Sequence, residues 1–205
     1  MKEDAKIYCA QMEEIKKRVA CINQFLNSSF SYGVDHYDYE VVCIHLRKIL
    51  ELIAFSNLAA NKNEVDKMHK NIEGMWNARK LLKLIGRINP DFYPKPIEIS
   101  APDSRGVKII NFIENGYLTK EEWVQLYNLC SDFLHVWNPY NERERFVNFK
   151  ISVSEWVQKI QNLLGVHTVQ LLEDRIFTVF MNYPMDGKVH AFPAEPADES
   201  KIHKS

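Results

Sequence analysis

The sequence predicts a mainly α fold: a bundle of about five helices followed by a small C-terminal antiparallel β-meander. Three observations predict it. Before residue 165, apolar residues recur at three- and four-residue steps. Two helix starts carry reciprocal capping boxes. After Gly165 the pattern changes to short β-prone runs separated by turn residues. Residues 1–165 are expected to form the bundle, 166–193 the meander as an appendage, and 194–205 a polar disordered tail.

The first helix is expected from Asp4 to Leu26. Tyr8, Met12, Ile15, Val19, Ile22 and Leu26 fall on one stripe, with Glu13, Glu14, Lys16, Lys17 and Arg18 off it. Asn27 to Gly33 supplies the break. The second helix, Tyr37 to Ala60, is apolar almost all round, which suits the middle of a bundle. Its few charges stand out. Arg47 and Glu51 are one turn apart and can pair; if their face is buried, the pairing must satisfy both charges.

A third helical region spans Lys62 to about Ile88 and stops at Asn89-Pro90. Pro90, Pro94, Pro96 and Pro102 make the following segment an extended connection. Val107 to Ile113 reads either as a short strand or as a helical turn. The fourth helix starts at a Thr119/Glu122 capping box, with Leu118 stapled to Trp123, and runs to about Trp137. The fifth starts at Ser152/Glu155, with Ile151 stapled to Trp156, and ends at Gly165. Val166–Leu172, Arg175–Asn182 and Lys188–Phe192 read as the three strands of the meander.

Composition narrows the function classes. At 205 residues, with 46% apolar and 26% charged content, the chain can bury its own core without staples. A formal charge of −1 gives no general attraction for nucleic acid or an acidic membrane, so any such contact needs a local patch. The four cysteines (Cys9, Cys21, Cys43, Cys130) lack zinc-knuckle or redox-dithiol spacing, and buried thiols are the simpler reading. No membrane-length apolar run or signal-peptide core is present, which makes the cytoplasm the expected location. The seven histidines are scattered, and no cofactor or metal is expected. Phosphate-loop, dinucleotide and nucleophile-elbow signatures are missing.

The richest segment is Tyr127 to Pro139. At helical spacing Asn128, Ser131, Asp132 and His135 gather on one side, while Trp123, Tyr127, Cys130, Leu134 and Trp137 gather on another. The polar stripe holds small hydrogen-bonding groups and an imidazole instead of the long charges of a solvated face. A satisfied seam or a binding surface fits that composition. For His135 the structural alternative is a residue at the helix C-terminus bonding carbonyls or meeting the dipole.

The helix Cys43–Phe55, taken with the late helix ending Leu129-Cys130-Ser131-Asp132-Phe133-Leu134-His135 and then Asn138-Pro139, resembles a HEPN domain over roughly residues 1–165. The resemblance implies a helical bundle that often dimerises. In its ribonuclease members an Arg, an adjacent polar residue and a His four to six residues beyond the Arg cleave RNA without metal. The 2′-hydroxyl attacks the phosphate, with His transferring protons and Arg steadying charge. Here His135 and Ser131 remain, but Cys130 stands five residues before His135, and no Arg precedes it on that helix. Cysteine lacks the bidentate donors of guanidinium.

Three functional expectations follow. The first is a non-catalytic binding or regulatory protein, a homodimer, using Asn128, Ser131, Asp132, Asn138 and Glu51 to bind nucleotide, RNA or a protein partner. The second is a metal-independent endoribonuclease using His135 with Arg47 or another outside arginine. The third is an interaction subunit of a defence or toxin–antitoxin assembly that contacts its partner through the meander and the tail, with the polar seam merely structural.

Overall fold

The computed structural model describes residues 2–60, 78–102, 104, 108–136, 151–170 and 176–194. Among them are five helices: α1 (Lys2–Asn27), α2 (Asp35–Ala60), α3 (Ala78–Ile88), α4 (Lys120–Leu134) and α5 (Val153–Leu164). Five strands, β1 (Lys95–Ile99), β2 (Ile110–Phe112), β3 (Val166–Gln170), β4 (Ile176–Phe180) and β5 (His190–Ala194), form one antiparallel sheet. The expected fold class is therefore the observed one. The first part of the third helical region, residues 62–77, lies outside the described residues.

The α1 stripe buries as its spacing requires. Tyr8, Met12, Ile15, Val19 and Ile22 are in the core, while Leu26 at the helix end is exposed. Helix α2 contributes Val42, Cys43, Leu46, Ile49, Leu50, Ile53 and Ala54. Helices α2 and α4 run antiparallel. The indole N–H of Trp123 donates to Leu50 O at 3.1 Å, Tyr127 meets Arg47, and Phe133 stacks on His36 with centroids 4.7 Å apart. Cys43 and Cys130 face one another in this seam, and that contact together with burial holds the Cys130 thiol protonated. All four cysteines are free thiols; Cys43 and Cys130 are buried, whereas Cys21 is exposed.

Both capping boxes form. Thr119 accepts from Glu122 N, and Ser152 accepts from Glu155 N, with each Glu bonded back to its cap residue. Each cap is worth about 0.5–2 kcal/mol.

The sheet order is β2-β1-β3-β4-β5. Its β3–β5 part is the expected meander, with Gly187 in the β4–β5 turn at φ +67°. Strand β5 continues through Pro193 to Ala194, two residues beyond the expected end. The expected tail, from 195 on, lies outside the described residues.

The proline-rich connection holds more order than an extended link. Lys95 and Pro96 pair with Thr168 and His167, and β2 resolves the Val107–Ile113 ambiguity in favour of strand. The meander also shares its core with the helices: Val169, Phe177, Val179 and Val189 belong to the same buried cluster as α1, α2, α4 and α5.

A buried polar link ties α1 to the sheet. Tyr8 OH and His167 Nε2 are 2.7 Å apart, and His167 Nδ1 lies 2.8 Å from Leu164 O. A carbonyl can only accept, so Nδ1 carries the proton and Tyr8 donates to Nε2. Burial of the imidazole lowers its pKa to about 4, partly opposed by the bond to Leu164, and so keeps the ring neutral.

Candidate functional site

The polar side of α4 faces α5 across a groove of about 600 Å³. Glu122, Gln125, Asn128, Leu129 and Asp132 of α4 line one wall, and Ile151, Trp156 and Lys159 line the other. The volume falls in the range of small-ligand pockets. Two of the sequence candidates, Asn128 and Asp132, thus reach the groove together.

Local sequence sets the groove's geometry. Glu122 acts twice. Its Oε2 accepts from Thr119 N at 3.1 Å and completes the α4 cap. Its Oε1 accepts from Lys159 Nζ at 2.9 Å across the groove, with both side chains about three-quarters buried. The N-terminal approach to α4 is fastened to α5 as well. Leu118 N–H donates to Lys159 O at 3.0 Å, and Asn162 Nδ2 donates to Gly116 O at 2.7 Å. The two walls therefore hold a fixed separation, as a preformed site requires.

Trp156 is 6% exposed and contributes to the groove wall. Its Nε1 is buried, with no acceptor among the described residues. Buried donors are nearly always satisfied, and leaving one without a partner costs about 1–3 kcal/mol. Of the charged residues in the lining, Glu122 and Lys159 pair with one another, and Asp132 makes an interaction of its own.

The remaining candidates lie elsewhere. Ser131 Oγ donates to Tyr127 O at 2.7 Å, so its hydroxyl serves its own helix. His135 is the C-cap of α4, exposed, with its backbone N–H donating to Ser131 O at 3.1 Å. Arg47 and Glu51 pair at 3.1 Å, each about 70% buried. The guanidinium also donates to Tyr127 OH at 3.3 Å and lies 5.2 Å from the centre of that ring. This satisfies both charges, as their half-buried face demands. Tyr127 precedes His135 by eight residues, about 12 Å along the helix axis at the usual helical rise. The structure thus brings Arg47 to Tyr127 and not to the end of α4 where His135 sits. Asn138 lies outside the described residues.

No family model matches the chain, and neither a curated protein nor a solved structure matches it. The HEPN reading accordingly rests on the two motif segments alone.

Trp156, Lys159 and Gln125 were not singled out from the sequence as site residues. Trp156 carried only a staple role there. The Glu122–Lys159 bridge spans 37 residues, and nothing in local periodicity signals it. A second depression of about 300 Å³, between α1, α5 and Met181, is lined by Ile15, Val19, Ile160 and Leu164 and holds none of the sequence candidates. Among the described residues, no three His, Cys, Asp or Glu side chains gather as a metal site requires, and no helix is long and apolar enough to cross a membrane.

Proposed function

We propose that this chain is a non-catalytic binding protein on a HEPN-like scaffold, and that its α4–α5 groove takes a peptide segment of a protein partner. The observation that carries this reading is the Trp156 indole N–H, a buried donor without an acceptor among the described residues, on a side chain that lines a polar-rimmed groove. A peptide carbonyl supplies the acceptor that it lacks once the ring turns its N–H toward the groove. The apolar side chains of Leu129 and Ile151 give contact area, and the Gln125 amide can bond peptide groups in either sense.

Cleavage finds less support. A HEPN-type ribonuclease needs a cation beside its histidine, and Arg47 is engaged by Glu51 and Tyr127 two helical turns from His135. Mixed single-stranded RNA incubated with the full chain in excess EDTA is expected to stay intact, both with wild type and with folded His135→Ala. RNA cleavage by wild type that His135→Ala abolishes would replace this reading with the ribonuclease one. Peptides selected against the full chain from a random dodecamer library are expected to bind Trp156→Phe about three- to tenfold more weakly, the loss of one hydrogen bond. Unchanged affinity would remove the groove from the reading.

A further inference from the structure

Among the described residues strand β2 is an edge of the sheet, and its residues are unusual for one. Ile109, Ile110 and Phe112 are 61%, 47% and 62% exposed. Proteins usually blunt such edges with charge, proline or a covering element, because unpaired backbone groups beside apolar side chains recruit another strand. Between Ile109 and Ile113 the sequence holds neither a charge nor a proline, and among the described residues no further strand pairs with β2.

The β1–β2 ladder fixes which backbone groups face outward. Ser100 N–H donates to Ile109 O at 2.9 Å, and Ile113 N–H donates to Pro96 O at 3.0 Å. The pairing register sets Ile97 opposite Phe112 and Ile99 opposite Ile110. The odd-numbered residues of β2 therefore turn their backbone groups toward β1. By alternation, the N–H and C=O of Ile110 and Phe112 point to the open side.

We infer that β2 is a homodimerisation edge, pairing antiparallel with β2 of a second copy about a two-fold axis at Asn111. The segment Lys108-Ile109-Ile110-Asn111-Phe112-Ile113-Glu114 is self-complementary in this register. Ile110 of one copy faces Phe112 of the other, and both have outward backbone groups, so they form a hydrogen-bonded pair. Ile109 faces Ile113. Lys108 faces Glu114, twice by symmetry. A two-fold axis at Ile110 or Phe112 also matches the backbone groups, but it sets Lys108 or Glu114 opposite an apolar residue. An axis between residues sets outward groups against inward ones. The Asn111 axis is thus selected by charge complementarity and apolar matching together. The product is a continuous ten-stranded sheet across two copies, twice the five strands of one chain. This edge is distinct from the α4–α5 groove, and the failure of either reading leaves the other standing.

A seven-residue segment is a small interface, so the dimer is expected to be reversible and concentration-dependent. Sedimentation velocity of the full chain from about 1 µM to about 500 µM spans the affinities such a contact supports. Wild type is expected to pass from monomer to dimer within that range. Phe112→Pro removes an outward N–H and leaves the β1 ladder intact, and is expected to stay monomeric throughout. Lys108→Glu sets Glu against Glu at both ends and is expected to weaken the dimer about tenfold, with Lys108→Glu/Glu114→Lys restoring it. If Phe112→Pro does not fold, the charge pair decides. A wild-type chain monomeric at every concentration overturns the proposal. So does a dimer indifferent to folded Phe112→Pro, or a dimer indifferent to the charge reversal.

Discussion

Trp123→Ala is expected to lower the free energy of unfolding by about 3–5 kcal/mol, the range for truncating a fully buried large aromatic. Trp123 is 0% exposed, stacks on Tyr127 with centroids 5.1 Å apart, and anchors α4 to α2 through its bond to Leu50 O. Little can relax into the gap, because Leu46, Ile49 and Leu50 are themselves fully buried on a rigid helix. Against a typical domain stability of about 5–15 kcal/mol, the loss takes a large share. Tyr127→Phe is the control. It keeps the ring and loses only the hydroxyl that receives Arg47, at a cost of about 0.5–1.5 kcal/mol. Urea denaturation of the three proteins measures both. A Trp123→Ala loss below about 1 kcal/mol would mean that the α2–α4 seam is not the core that its burial describes.

The second large effect is a loss of stability in mild acid through His167. Its pKa falls from the ordinary 6.5 to about 4 in the folded chain because burial disfavours the charged ring. Between those values the unfolded chain binds a proton that the folded chain does not. Stability therefore rises with pH across that window and is lost as pH falls through it. The full loss by pH 4 is about 3 kcal/mol. The groups around the imidazole offer no relief. Tyr8 can donate to Nε2 only while that nitrogen is unprotonated, Leu164 O already accepts from Nδ1, and Ser56, beside Tyr8, is uncharged. His45, held low by burial and by Arg18 nearby, adds to the slope in the same direction. Chemical denaturation at several pH values between 7 and 4 reads the effect. His167→Gln is expected to flatten the profile by about 3 kcal/mol while leaving the His45 contribution in place. Identical slopes in the two proteins would contradict the buried neutral imidazole.

The helices were legible because their signals are local. The α1 stripe, the two capping boxes and the Pro90 stop each sit within a few residues of one another, and each appears where expected. Strand β1 was harder to see. Pro94 and Pro96 read as a connection, and only the distant partners Thr168 and His167 turn that segment into a strand. The shared core of helices and sheet was hidden for the same reason: it depends on which faces meet, not on which residues are apolar.

The site was half legible. The small polar stripe of α4 marked Asn128 and Asp132 correctly as residues of one face, since helical spacing determines that. It could not mark Trp156 or Lys159, because their part depends on how α5 lies across α4. Grouping Ser131 with a binding face missed its back-bond to Tyr127 O, which geometry decides. Pairing Arg47 with Glu51 needed only a four-residue spacing. Its distance from His135 needed the antiparallel α2–α4 register.

The most direct test of the groove is the Trp156 indole N–H itself, followed by NMR in the full chain and assigned by its disappearance in Trp156→Phe. Dodecamer peptides selected against the protein are titrated in. A downfield shift of that resonance, saturating with the binding isotherm and accompanied by weaker binding to Trp156→Phe, is the predicted result. Peptides that bind while the resonance stays fixed, and that bind Trp156→Phe equally well, would contradict the claim that this groove receives the partner.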